Sequence, residues 1–308
     1  MQNRDHVAVT RLGIVLGAGG PLGWAFHLGV FEGLTEVTGR RPQDAARIVG
    51  TSAGAAIGAT ALTGASTDTV LAAIAQGPNS QDREALRESM RSLRRPVRLL
   101  PAAPGALRSD GAGWLQRGLG LLPRGLLPTD VLSRFPIGDP AAPLPPALWV
   151  VAVRLEDGTR TVFGKDLIPV TRADAIEASS AIPLLFAPKV IGEHRYVDGG
   201  VHSPTSADVL LGDGRFDIVI IVSPMTRAGS GPLRRRARTV LRRELTLLEA
   251  AGVRTVLIEP DDEAVDAAAG FPRSRPDAGH DIVFEARRQT VQALEPVCEL
   301  VISRPCGD

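Results

Sequence analysis

Ser52 stands in Gly50-Thr51-Ser52-Ala53-Gly54, and a serine between glycines at this spacing is the sequence form of a nucleophile elbow. Such a serine occupies a strained turn between a strand and a helix, where Gly50 and Gly54 make room for crowding backbone. A serine hydroxyl is a weak nucleophile until a base takes its proton. The candidate base is Asp198, in Tyr196-Val197-Asp198-Gly199-Gly200-Val201, where a strand end delivers a carboxylate onto a glycine turn. Taken alone, that hexapeptide reads more readily as a hairpin turn with a solvated aspartate.

The third chemically suggestive stretch is Gly17-Ala18-Gly19-Gly20-Pro21-Leu22-Gly23. A glycine loop that opens a helix presents backbone N–H groups at the positive helix end and so suits an anion. That anion is a dinucleotide pyrophosphate or the oxyanion of a tetrahedral acyl intermediate. Glu36, about 20 residues after the first glycine, favours the nucleotide. The spacing opposes it: Leu22 stands where the third glycine belongs, Gly23 comes one position late, and no Lys-Ser or Lys-Thr completes a Walker loop. Coexistence with an elbow favours the oxyanion. Of the five histidines, only His202 and His280 follow both Ser52 and Asp198, as a serine–acid–histidine order requires. Neither lies in a supporting motif, so a Ser52–Asp198–His280 triad is the alternative arrangement. A non-catalytic protein that binds lipid or nucleotide through the same loop is the other.

In this order, the three pieces resemble the patatin-like phospholipase family of serine acyl hydrolases, over roughly residues 12 to 220. The most specific detail is Ala178-Ser179-Ser180-Ala181-Ile182-Pro183-Leu184-Leu185-Phe186-Ala187-Pro188 leading to Asp198-Gly199-Gly200. The resemblance implies a dyad of Ser52 as nucleophile and Asp198 as base, without histidine; with no metal-ligand cluster and a broken dinucleotide spacing in the sequence, neither metal nor cofactor is expected. It also implies an oxyanion hole from Gly17, Ala18, Gly19 and Gly20, with the amides around Gly19 and Gly20 as donors. The implied substrate is a lipid or other carboxylic ester, and a cap at residues 80 to 147 is where peripheral contact with a membrane would come. Two positions depart from the family pattern. Pro21-Leu22 replaces a basic residue before the last loop glycine, and His202-Ser203-Pro204 replaces Asn-x-Pro after the Asp-Gly-Gly. The first removes a positive charge from the loop, and the second puts a titratable ring near the base.

These residues need a scaffold, and the rhythm of the chain supplies one. Leu12–Leu16, Ile48–Val49, Leu148–Val153, Ile218–Val222 and Val253–Ile258 are strand-like runs separated by helical segments. The pattern predicts a three-layer α/β/α sandwich around a mostly parallel sheet, in a single domain of 308 residues. Glu156-Asp157-Gly158-Thr159 predicts a hairpin turn. Trp24, Leu28, Phe31, Leu34 and Val37 predict one apolar face on the helix after the glycine loop. Residues 80 to 147, rich in arginine, proline and leucine, break the rhythm and read as a helical cap or as plain cover for the sheet. Leu233 to Ala251 combines an apolar stripe with six arginines, Arg234, Arg235, Arg236, Arg238, Arg242 and Arg243. The strand-like run that follows favours a sheet-covering helix with a solvated basic face over one lying on anionic lipid. Ile282 to Val301 reads as a last amphipathic helix.

Composition excludes several classes. A hydrophobic content of 44% supports a substantial core, and a net charge of +1 gives no case for nucleic-acid binding. Cys298 and Cys306 are too few for a disulfide framework and form no zinc-type spacing with histidine. The polar first ten residues lack a signal-peptide core, so a cytoplasmic location is expected.

Overall fold

The five strand-like runs all become strands: the first four are buried on both faces, as inner parallel strands require, and the last, at the sheet edge, is only half-buried. In the computed structural model, which describes residues 10–76, 127, 129, 136–227, 231–272 and 274–301, the strands number eight. They are β1 (Leu12–Leu16), β2 (Arg47–Thr51), β3 (Leu148–Arg154), β4 (Arg160–Phe163), β5 (Lys189–Ile191), β6 (His194–Asp198), β7 (Ile218–Val222) and β8 (Arg254–Ile258). The sheet runs β5-β6-β3-β2-β1-β7-β8, with β4 also paired to β3. From β3 through β8 every pairing is parallel, whereas β4, β6 and β5 add antiparallel ones. The sheet is therefore mixed, parallel in the five runs expected from the sequence. The hairpin at residues 156–159 joins β3 to β4 as predicted.

Helices cover both faces, which completes the three-layer α/β/α sandwich. On one face lie α1 (Gly20–Thr38), α2 (Ala53–Thr63), α3 (Thr67–Gln76) and α4 (Arg172–Ser179). The other face is covered by α5 (Pro232–Ala250) together with the 3₁₀ turn Ala207–Gly212. Beyond β8, α6 (Asp262–Ala267) leads to α7 (Ala278–Leu294), which packs along α1 on the first face.

The single apolar face expected for α1 is a partial description. Ala25, Phe26 and Val30 are buried along with Leu28, Phe31 and Leu34, while Trp24 and Val37 are only half-buried. The helix is clamped between the sheet and α7, so most of its surface needs to be apolar. Gly29 permits that clamp, since a Cβ there would lie 2.3 Å from the Val283 carbonyl oxygen. The stripe of α5 does cover the sheet through Leu241, Leu245 and Leu248. Most of the expected cap at 80 to 147 lies outside the described residues. Of that stretch, Leu127 bridges to Phe186 and residues 136–147 lead into β3.

Candidate active site

Strand order explains how residues so far apart in the chain meet. β3 lies between β2 and β6, with Thr51 paired to Val151 and Asp198 paired to Ala152. Ser52, one step beyond Thr51, and Asp198 therefore reach the same level on either side of β3. Both are buried.

Ser52 has φ 55° and ψ −118°, a conformation that a side chain enters only at a cost of ~1–3 kcal/mol. Contacts around it enforce that geometry. A Cβ on Gly54 would sit 2.0 Å from the Leu16 carbonyl oxygen, and one on Gly50 would sit 2.6 Å from Ala55 Cα. Neither residue can carry a side chain without moving backbone. The Ser52 amide donates to Ser179 Oγ at 2.9 Å, and Ser179 Oγ donates to the Val151 carbonyl at 2.6 Å. Ser179 thus ties the elbow to the strand beside it. The elbow opens α2, whose positive end faces the serine.

Asp198 accepts from the Gly200 amide at 2.7 Å, and the Ser52 hydroxyl lies close enough to act on its carboxyl. Burial is the largest influence on that carboxyl and pushes the pKa up to about 6, against the downward pull of those two groups. A solvated hairpin aspartate would show none of this. Its own amide donates to the Ala181 carbonyl at 3.0 Å, which explains why the Ser-Ala-Ile-Pro segment accompanies the Asp-Gly-Gly.

The glycine loop sits against the elbow, and its amides divide into two pairs. Gly17 N–H donates to the Val222 carbonyl and Ala18 N–H to the Pro204 carbonyl, both at 2.8 Å. Those two amides are committed to holding the loop in place. The Gly19 and Gly20 amides have no carbonyl partner among the described residues, and both glycines are partly exposed. Gly20 takes φ 55°, and a Cβ on Gly19 would meet Gly23 Cα at 2.6 Å and Pro224 at 2.8 Å.

Three further residues hold this loop, and of these only Pro204 falls in a stretch that the sequence singled out. His27, wholly buried, lies 2.8 Å through Nε2 from the Gly17 carbonyl oxygen. A carbonyl can only accept, so Nε2 carries the proton, and burial lowers the ring pKa to about 4. Pro204 supplies the acceptor for Ala18. Glu244, on α5, accepts from Ser203 Oγ and Thr205 Oγ1 at 2.6 Å each and from the Ala207 amide at 3.0 Å. Burial raises its pKa while the two hydroxyls oppose the rise. A readable signal existed for Glu244, because an acid three residues from Leu241 and four from Leu248 falls on the apolar stripe.

The histidines do not complete a triad. His280 lies exposed at the start of α7 and pairs with Asp68 at 3.2 Å. His202 is set among Arg160, Asp208 and Arg236, and burial together with the Arg160 charge lowers its pKa to about 4.

The family model described as patatin-like phospholipase matches residues 14–211, well over half the chain. The protein belongs to the patatin-like phospholipase family. None of the curated protein sequences matches significantly. Among solved structures, the chain is similar to VipD from Legionella pneumophila, at 13% identity and a TM-score of 0.39, covering 92% of this chain and 66% of that one. It is also similar to human GIVD cytosolic phospholipase A2 in complex with methyl γ-linolenyl fluorophosphonate, at 8% identity and a TM-score of 0.45. That match covers 98% of this chain and 60% of the human one, so the protein spans less than two-thirds of either relative.

Proposed function

We propose that this protein is a serine acyl hydrolase that cleaves carboxylic esters of lipids through a Ser52–Asp198 dyad. The observation that carries the reading is a buried Asp198, with its pKa raised to about 6, brought level across β3 with a buried Ser52 held at φ 55°. Ser52 Oγ attacks the ester carbonyl while its proton passes to Asp198. Negative charge then develops on the carbonyl oxygen, where the two uncommitted amides of Gly19 and Gly20 receive it. Such a donor is worth ~2.7–4 kcal/mol of barrier. Collapse of the intermediate expels the alcohol, which takes the proton back from Asp198 and leaves an acyl group on Ser52. Water attacks that ester, giving its proton to Asp198, and the released serine recovers it as the acid departs.

Gly17 and Ala18 frame the hole rather than line it, which narrows the four-residue expectation. The raised Asp198 pKa suits a general base working near neutrality. The triad reading has no support in the geometry, since His280 is engaged with Asp68. The test is a fluorophosphonate probe with the adduct mapped by mass spectrometry. Stoichiometric label on Ser52 is expected, and label elsewhere or none would overturn the assignment.

A further inference from the structure

We propose that the sheet edge carrying Ser52 docks on an anionic bilayer, with Arg234 and Arg235 at the phosphates and Met225, Leu184 and Leu185 entering the interface. This deepens the reading above, because it rests on the substrate being a lipid.

The first observation is where the basic charge lies. The whole chain has a net charge of +1, yet six arginines fall within residues 234–243. Arg234, Arg235, Arg242 and Arg243 are exposed, and none has an ion-pair partner among the described residues. By contrast, Arg287 and Arg288 on α7 pair with Glu36, Asp261 and Glu285. Arg234 and Arg235 also stand in the opening turns of α5, which has no acidic residue in its first turn and no side-chain cap. Positive charge there opposes the helix dipole, and Arg234 repels Arg238 one turn on. Helix stability does not explain this arrangement. A negative surface beyond the helix would.

The second observation is direction. α5 connects β7 to the parallel β8, so it runs antiparallel to the strands and starts at their C-terminal edge. Ser52 follows β2 at that same edge. Arg236 donates to the Val201 carbonyl, three residues past Asp198, and Arg238 donates to the Thr226 carbonyl, beside the Pro224 that packs on Gly19. The arginine turns are thus bolted to both sides of the candidate active site.

Exposed apolar groups share this edge. Met225 is 39% exposed just after β7, and Leu184 and Leu185 follow the Ala181 that holds Asp198. Leu184 is 43% exposed and has φ 72°, an unusual conformation for a bulky residue. Arginines and protruding apolar side chains at one edge of a sheet suit an interfacial membrane-binding surface. No helix among the described residues is long and apolar enough to cross a bilayer.

The test is co-sedimentation with vesicles of phosphatidylcholine alone or with ~30% phosphatidylglycerol. The wild type should bind the anionic vesicles, release from them in 0.5 M salt, and bind the neutral ones far less. Arg234→Glu/Arg235→Glu should weaken vesicle binding about thirty-fold or more, at ~1 kcal/mol per arginine near the surface. Its turnover of a soluble short-chain ester should be unchanged. Arg242→Glu/Arg243→Glu should cost under about three-fold, because those residues sit ~12 Å further along the helix, beyond a Debye length. No affinity for anionic vesicles, equal affinity for neutral ones, or equal loss in the two double variants would overturn the proposal. The first outcome would point the arginine face to an acidic protein instead. Vesicle binding is read without turnover, so an inactive Ser52 would sink the hydrolase reading and leave this measurement standing.

Discussion

The elbow and the glycine loop meet where Gly23 lies against Ala53, but they are held in different ways. The elbow is compact in sequence: its serine, both glycines and the helix that follows occupy residues 50–63, with Ser179 as a tie from outside. Crowding leaves it one backbone path, since a Cβ on Gly54 would lie 2.0 Å from the Leu16 carbonyl oxygen. The glycine loop is suspended from elsewhere: Val222 and Pro204 take its amides, His27 braces a carbonyl, and Pro224 packs on Gly19. Glu244 acts a step further out by gripping Ser203 and Thr205 on both sides of Pro204. A nucleophile needs its conformation fixed. An oxyanion hole also needs its distance to that nucleophile fixed, and only groups from outside the loop can set a distance.

The largest expected effects come from breaking the proposed dyad. Ser52→Ala should abolish turnover of p-nitrophenyl esters with the circular dichroism spectrum unchanged, and Asp198→Asn should be nearly as damaging. Because the base must be ionised, kcat/KM of the wild type should fall below about pH 6, the pKa of the buried carboxyl. Stability should move the opposite way. A carboxyl whose pKa rises from 3.8 to about 6 on folding favours the native state at low pH, and that benefit is lost as pH climbs through 6. Asp198→Asn carries no such dependence, so relative to the wild type it should gain up to ~3 kcal/mol between pH 4 and pH 8 in urea melts.

Two alanine substitutions set the elbow against the loop directly. Gly54→Ala puts a methyl into the Leu16 carbonyl and should give no folded protein on expression. Gly20→Ala meets no atom within 4 Å but must keep φ 55°, a left-handed strain of ~1–2 kcal/mol. It should fold, with a slightly lower Tm and acylation slowed in single-turnover traces. If both fold equally well, the contrast between an enclosed and a suspended element is wrong.

A smaller effect sharpens the point. Glu244→Gln keeps the shape of the side chain but cannot accept three hydrogen bonds with one oxygen. The Pro204 segment should loosen, and kcat should drop about ten-fold while KM stays nearly constant, a fraction of the 10²–10³ lost with a whole donor. A change in KM alone would mean that Glu244 does not reach the site through the loop. His280→Ala should be the mildest of the series, with steady-state rates within about two-fold of the wild type, since its partner is an exposed Asp68.

The sequence by itself determined the elbow, because Gly-x-Ser-x-Gly after an apolar run encodes a local turn whose demands are met within a few residues. It also determined the five parallel strands, since burial on both faces leaves continuous apolar runs. The arginine stripe of α5 and the Ser-Ala-Ile-Pro segment were equally legible. The antiparallel half of the sheet was less so, because Lys189–Ile191 is three residues long and carries no periodicity. Tertiary structure alone decided that Asp198 is buried against Ser52 rather than solvated in a hairpin, since that depends on β6 pairing with the far side of β3. It also decided which loop amides are free. The glycines read alike along the chain, and only the positions of Val222 and Pro204 commit the Gly17 and Ala18 amides while those of Gly19 and Gly20 keep no carbonyl partner among the described residues.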